Sequence, residues 1–388
     1  MGNQERWRTK LMDAAAAGDT RKAVKCLSGP TDDPADLVNA ITVAYDNGFT
    51  ETAATMMERA VPRHLDLLTQ MIRSGRTDIV ALCRNDDALI VTGNLHMAIL
   101  SGDPAMVKLI CEAGANIDAE FEFEEVKYHE GDETHTGFLE RFTPLMLACF
   151  RNNPAMVTYL LERHADPHLA SSNYKQTALY EAARVGSTQI IQLLIGCGVE
   201  LEPVDSFGDT PATIACRCNN TEAALLLFAN NCDVNRTSNA GETPLIYASR
   251  FANAPLVERL IELGAEVSAT NREKKTPLLS AGDVETAQIL LHHGATGKID
   301  TGVWAEVNRD REFEMVHEHR TVQGDYDSRD EGEFTYRGVL HGNRSSLSVG
   351  DHSVVDIPAA IEVEKDGSVE FRIDHKWGSM DRYVLRPL

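Results

Sequence analysis

The chain contains no apolar run of the roughly 18 residues that a membrane-crossing helix requires. Its first ten residues, Met1 to Lys10, are polar and charged, unlike the apolar centre of a secretion signal. The expected location is the cytoplasm, with the nucleus as the alternative, and no membrane insertion is expected. Positive charge is scarce as well: 37 Lys and Arg stand against 59 Asp and Glu, for a formal net charge of −22. That balance argues against a nucleic-acid ligand, whose phosphates require a basic face. Eight cysteines are spread from Cys26 to Cys232 without the close pairing of a disulfide framework or a zinc knuckle, so free, buried thiols are expected. The sequence has no HExxH, no phosphate-binding glycine loop followed by Lys-Ser/Thr, no GxSxG and no GxGxxG. Nothing marks an enzyme, and no cofactor is expected.

What is present is a repeat. Thr143-Pro144-Leu145, Thr177-Ala178-Leu179, Thr210-Pro211-Ala212, Thr243-Pro244-Leu245 and Thr276-Pro277-Leu278 begin successive units at intervals of 34, 33, 33 and 33 residues. A Thr hydroxyl can cap the free N–H groups of a helix, and Pro at the next position has no N–H to leave unsatisfied. Ala148, Ala182, Ala215 and Ala248 recur at one place in four units, where a small side chain lets helices approach closely. Asn152, Gly186 and Asn219 then supply turn residues. Apolar residues at helical spacing follow, such as Met156, Val157, Leu160 and Leu161, which gives a second helix per unit. In this pattern the chain resembles the ankyrin-repeat family, whose signature is Thr-Pro-Leu-His-x-Ala-Ala, a Gly turn, a Val-x-x-Leu-Leu helix and Gly-Ala-Asp. The family's His is kept only at His96. The resemblance implies a stack of helix pairs joined by β-hairpin fingers that binds another protein.

The register continues upstream through Gly93-Asn94-Leu95-His96-Met97-Ala98, and turn glycines Gly75, Gly48 and Gly18 place three further helix pairs at about 27 residues each, read as lacking fingers. The expected fold is therefore an all-α ankyrin solenoid of about nine helix-pair units, followed by a small all-β C-terminal domain, α+β overall. Residues 1–92 form the finger-less pairs with an N-terminal cap, 93–299 the ankyrin repeats and 300–388 the β-domain. Between Gly93 and Thr143 the interval is 50 residues against 33 elsewhere. The extra residues form an acidic inserted finger at 119–142, where Phe121, Phe123 and Tyr128 alternate with charge as strands do. The last unit, from Thr276, is one helical turn short, as a terminal repeat should be.

After Gly297 the apolar period changes to two. Val303–Val307, Glu312–His317, Glu333–Leu340, Ser345–Val349, Ile361–Glu364, Val369–Ile373 and Tyr383–Leu385 read as strands, with Asp366-Gly367 as a hairpin turn. A small antiparallel sandwich or barrel is expected, packed on the last helix pair. Histidines gather here: His317, His319, His341, His352 and His375. His317 and His319 are the weak candidates for a metal site, since residues two apart on a strand share a face; surface histidines are the simpler reading, and no metal is assigned.

The leading function is a non-catalytic scaffold or adaptor that binds a partner along the concave face and fingers of the ankyrin solenoid. The alternatives are an enzyme or metal-binding β-domain targeted by the repeats, and a structural subunit of a larger assembly. The family resemblance implies contacts from the finger tips and from the residues just before each turn. Those are Phe150 and Arg151, Arg184, Arg217, and Tyr247 with Arg250 and Phe251, together with Tyr174, Phe207 and Arg272 on the fingers. Arg184, Arg217 and Arg250 recur every 33 residues. On so acidic a chain, they are read as an exposed row that takes a protein partner with an acidic segment.

Overall fold

The computed structural model describes residues 3–27, 34–60, 65–83, 87–91, 93–123, 128–130, 133–135, 140–309, 312–321, 332–342, 346–349, 352–355, 360–364, 368–374 and 379–388. These fall into two compact units, Met1–Lys127 with Thr136–Ala182 and Gln189–Val199, and Tyr128–His135 with Ala183–Thr188 and Glu200–Leu388. The chain begins with helices α1 (Asn3–Ala16), α2 (Thr20–Cys26), α3 (Pro34–Asp46), α4 (Thr50–Ala60), α5 (Leu65–Arg73), α6 (Thr77–Val80), α7 (Asn94–Ser101) and α8 (Pro104–Glu112). Four short strands follow, β1 (Phe121–Phe123), β2 (Tyr128–Glu130), β3 (Glu133–His135) and β4 (Glu140–Phe142). Then come α9 (Pro144–Phe150), α10 (Pro154–Glu162), α11 (Ala178–Val185), α12 (Thr188–Gly196), α13 (Pro211–Arg217), α14 (Thr221–Ala229), α15 (Pro244–Arg250), α16 (Ala254–Glu262) and α17 (Val284–His292).

Local chemistry sets each pair. Thr143, Thr210 and Thr243 are extended, and their hydroxyls accept from the backbone N–H of Met146, Thr213 and Ile246 at 3.3, 3.2 and 3.2 Å. The turns reverse through left-handed residues, Asn152, Gly186, Asn219 and Ala252, at φ +50, +84, +59 and +53°. Gly186 has a second reason: a Cβ there would lie 2.7 Å from the side chain of Asn220, whose Nδ2 donates to the carbonyls of Ala183 and Arg184. Ala148, Ala182, Ala215 and Ala248 are fully buried, as helices in close contact require. First helices stack on first helices, α1 on α3, α3 on α5, α5 on α7, α7 on α9, and in the second unit α13 on α15. Upstream turn glycines Gly18, Gly48 and Gly75 are all left-handed, so the weakly patterned N-terminal segment follows the same helix-turn-helix path.

The final repeat differs from its predecessors by more than one missing turn. Thr276 still accepts from the N–H of Leu279 at 3.2 Å, but the segment closes as a turn rather than a helix, and Gly282 N–H goes to the carbonyl of Ser249. Among the described residues, α1 to α16 make complete pairs and α17 stands as the one helix of the last unit.

Beyond it lie β5 (Gly297–Asp300), α18 (Thr301–Val307), β6 (Glu312–Thr321), β7 (Gly332–Gly342), β8 (Ser346–Val349), β9 (His352–Val355), β10 (Ala360–Val363), β11 (Val369–Asp374) and β12 (Ser379–Pro387). The expected strand at Val303–Val307 is a helix. Asp300 Oδ1 accepts from the N–H of Val303, and Trp304, Ala305, Val307 and Asn308 are buried while Glu306 and Arg309 are exposed, the spacing of one helical face. An all-β segment is therefore corrected to a sheet with an embedded helix. The strands pair antiparallel in the order β5-β10-β11-β12-β6-β7-β8-β9, and among the described residues β5 and β9 are not paired with each other. Strands β5 and β9 are not among the strands expected from the sequence. The Asp366-Gly367 turn lies outside the described residues, but β10 and β11 on either side of it pair antiparallel as that turn demands. Helix α18 packs on α17, β5 and β7.

Candidate functional site

In the second unit, successive fingers are zipped together by backbone. Asn239 N–H donates to the carbonyl of Phe207 at 2.8 Å, and Arg272 N–H to the carbonyl of Ala240 at 3.0 Å. Asp205 ties its own finger, accepting from the N–H groups of Phe207 and Asp209 at 2.8 and 2.9 Å. Between these fingers and helices α13 and α15 lies a groove of about 520 Å³, with Phe207, Arg272, Glu273 and Asn239 among its lining residues together with Asp209, Glu242 and Tyr247.

The arginines expected as an open row are largely committed inside the fold. Arg217 Nη1 lies 2.5 Å from Asp209 Oδ2, and that carboxylate is 1% exposed. Arg250 Nη2 lies 2.6 Å from Glu242 Oε1, which also accepts from Asn271 Nδ2 of the next finger at 3.1 Å. Arg184 is buried. The exposure assigned to Arg184 and Arg217 is thus corrected, and only Arg250 keeps a substantial open side, with its guanidinium over the Tyr247 ring at 5.6 Å. Tyr247 is buried rather than presented, and burial, with the charge of Asp209 second, pushes its hydroxyl up to about 12.

Both pairs join a residue just before the capping Thr to one eight positions later. The first unit uses the same interval apolarly, where Phe142 stacks on Phe150 at 5.5 Å. Asp209 and Glu242 escaped notice in the sequence, although an acid recurring before the Thr with Arg at a fixed interval was a usable signal. Of the remaining candidates, Phe207, Arg272 and Arg151 are exposed, and Tyr174 and Phe251 are half-buried.

The inserted finger is a hairpin at its base, with Phe121 opposite Phe142 and Phe123 opposite Glu140, and β2 pairs antiparallel with β3. Its two ends pack on the preceding helix. Phe142 is buried, its carbonyl accepts from His96 Nε2 at 2.8 Å, and the half-buried Phe121 ring lies 5.5 Å from that imidazole. The side chains of Phe123 and Tyr128 lie outside the described residues. Replacing 124–139 by a short turn is expected to leave melting nearly unchanged, whereas removing all of 119–142 should lower stability by about 3–5 kcal/mol through the loss of Phe142 alone. Equal melting of the two deletions would show that the base carries no packing.

Burial holds the His96 imidazole well below its ordinary range, down to about 4, against the opposing pull of the Phe142 carbonyl. The folded chain therefore keeps His96 neutral where the unfolded chain protonates it. The unfolded state binds more protons between pH 6.5 and about 4, so stability is full above that window and falls as pH falls through it. The share lost between pH 7 and pH 5 is about 2 kcal/mol. Melting at the two pH values should show this loss in the native chain and a smaller one in His96→Gln, whose amide can still donate to Phe142. Identical pH dependence in both proteins would remove His96 as the cause.

Among the described residues no three His, Cys, Asp or Glu side chains gather to hold a metal ion, and no helix is long and apolar enough to cross a membrane. The histidines of the sheet are dispersed: residues 317 and 319 share one face of β6, residue 341 falls on the opposite face by the register of β7, and residue 352 lies three strands from β6. Residue 375 lies outside the described residues.

Comparison with known proteins agrees with the repeat. The model for ankyrin repeats in three copies matches residues 95–205, 145–238, 179–271 and 225–301, together more than half of the chain. A mouse (Mus musculus) protein, fem-1 homolog A-like, is 38% identical over 73 residues, 19% of this chain and 11% of that protein. The chain thus matches only about a tenth of that relative's length. The crystal structure of the ankyrin repeat domain of Bcl-3, a member of the IkappaB protein family, shares 26% sequence identity and covers 58% of this chain and 97% of that domain, with a TM-score of 0.45. With five phased Thr-led units, their capping hydroxyls and left-handed turns, and a family model matched over more than half its length, this chain belongs to the ankyrin-repeat family, whose repeats mediate protein–protein interaction.

Proposed function

We propose that the protein is a non-catalytic scaffold or adaptor that holds a protein partner in the groove between the fingers and the first helices of its second unit. The observation that carries this reading is the exposed ring of Phe207, 48% accessible, beside exposed Arg272 on the zipped fingers. Large apolar side chains left on a rigid, backbone-bonded rim are what interfaces use as anchors. Because Arg217 and Arg250 already face Asp209 and Glu242, an acidic segment of the partner pairs instead with Arg272. The helix pairs before residue 93 extend the repeat array, and the sheet after residue 296 caps its end through α18. A cytoplasmic or nuclear location suits a module of this kind.

Crosslinking in the native cell, with the same capture repeated for Phe207→Ser combined with Arg272→Glu, tests the proposal. The partner recovered with the native chain should be lost from the double variant, while melting changes by no more than about 0.5 kcal/mol, as for exposed side chains generally. Full retention of that partner would exclude this groove and direct attention to the inserted finger.

A further inference from the structure

The charges around the groove of the second unit fall into a buried set and an exposed set. Asp209 and Glu242 are buried and face Arg217 and Arg250. The exposed set is Arg250 together with the finger tip Arg272-Glu273-Lys274-Lys275. On a chain of formal net charge −22, this is a local positive surface, and Glu273 is the acid set within it.

The backbone holds the tip in one shape. Buried Asn271 is its hub: its N–H donates to the carbonyl of Lys275 at 3.0 Å, its Oδ1 accepts from the N–H of Lys275 at 2.8 Å, and its carbonyl accepts from the N–H of Lys274 at 3.0 Å. Its Nδ2 donates to Glu242 Oε1 at 3.1 Å, the oxygen that also faces Arg250 Nη2. One buried amide therefore ties the tip to the Glu242–Arg250 pair. Within the tip, Lys275 Nζ lies 2.9 Å from Glu273 Oε2. The hydrogen bond and charge of Lys275, with a smaller contribution from the charge of Arg250, hold the Glu273 carboxyl below its ordinary range. Arg272 and Glu273 both line the groove, and the Glu273 side chain is 70% exposed.

An exposed Lys–Glu pair contributes little to stability, so the fold gains little from Glu273. For an incoming acidic segment the effect is of another kind. A like charge among the attracting cations repels the segment and already occupies one of them. We infer that Glu273 is a built-in competitor for the acidic segment of the partner: its carboxylate takes Lys275, and the segment must displace it to pair with Lys275 as well as with Arg272. The inference rests on the proposed use of this groove by an acidic segment and adds the residue that limits its affinity. The competing arrangement is an ordinary surface ion pair with no bearing on binding.

The test measures binding of fluorescein-labelled hexaglutamate to the full chain by fluorescence anisotropy at low ionic strength. Glu273→Gln should bind the peptide about two- to fivefold more tightly than the native chain, the size expected from an exposed ion pair. The gain should fade at about 0.5 M salt, where screening is strong. Glu258→Gln removes the same charge from helix α16, none of whose residues lines the groove, and should bind as the native chain does. Equal affinity of Glu273→Gln and the native chain, an equal gain in Glu258→Gln, or no hexaglutamate binding by either chain would overturn the competitor. If Phe207→Ser combined with Arg272→Glu loses the captured partner while Glu273→Gln gains nothing, the groove stands and the competitor alone falls.

Discussion

Arg217→Glu should destabilise the protein by about 3–5 kcal/mol, the usual cost of leaving a buried charge without its partner. The reason is Asp209, whose side chain is 1% exposed and whose Oδ2 lies 2.5 Å from the Arg217 guanidinium. Reversing the charge sets a second carboxylate against the buried one of Asp209. Arg250→Glu should cost less, about 1–3 kcal/mol, since Arg250 is 43% exposed and Glu242 keeps a second donor in Asn271 Nδ2. Replacing Asp209 and Arg217 together by apolar residues of similar volume should recover most of the loss, because a buried ion pair adds little net stability over good packing. Chemical denaturation of the three variants checks the ordering. If Arg217→Glu were neutral, the pair would be loose and the arginine open to a partner, as an exposed row requires.

Trp304→Ala is expected to cost a further large increment, about 3–5 kcal/mol. Trp304 is the largest fully buried side chain among the described residues, and its helix α18 packs on the last repeat helix, α17, and on strands β5 and β7. Truncation opens a cavity between three elements that cannot all collapse into it. Because a repeat array does not unfold as a single cooperative whole, the loss should be confined to the C-terminal part and appear as an earlier, separate melting step. Trp304→Phe should recover most of the lost stability. A single unshifted transition in Trp304→Ala would mean that α18 does not seal the end of the repeats.

The repeats were legible because their determinants are local. A Thr hydroxyl caps the N–H three residues on, Pro follows it, and a left-handed residue closes the helix, all within one unit and all restated every 33 residues. The hairpin base of the inserted finger was equally readable, since the alternation of aromatic and charged residues around Phe121 concerns neighbours in sequence. The segment at Thr301–Val307 misled for the opposite reason. Val-Trp-Ala-Glu-Val satisfies a period of two almost as well as helical spacing, and the surfaces of α17, β5 and β7 decided which residues were buried.

By itself the sequence determined the family, the phase of the units, the caps and turns, and the existence of an enlarged finger, because each depends on residues within hydrogen-bonding reach along the chain. Only the tertiary structure decided what the charged residues do. Whether Arg217 is a surface charge or half of an ion pair depends on Asp209 at the base of its finger, and whether Phe121 is a partner contact or packing depends on His96 of the preceding helix. That positions 319 and 381 stand opposite each other depends on the pairing of β6 with β12, neighbours in the sheet that are separated in sequence by five other strands. Burial and cross-strand register are properties of contacts between distant segments, and no pattern within one segment encodes them.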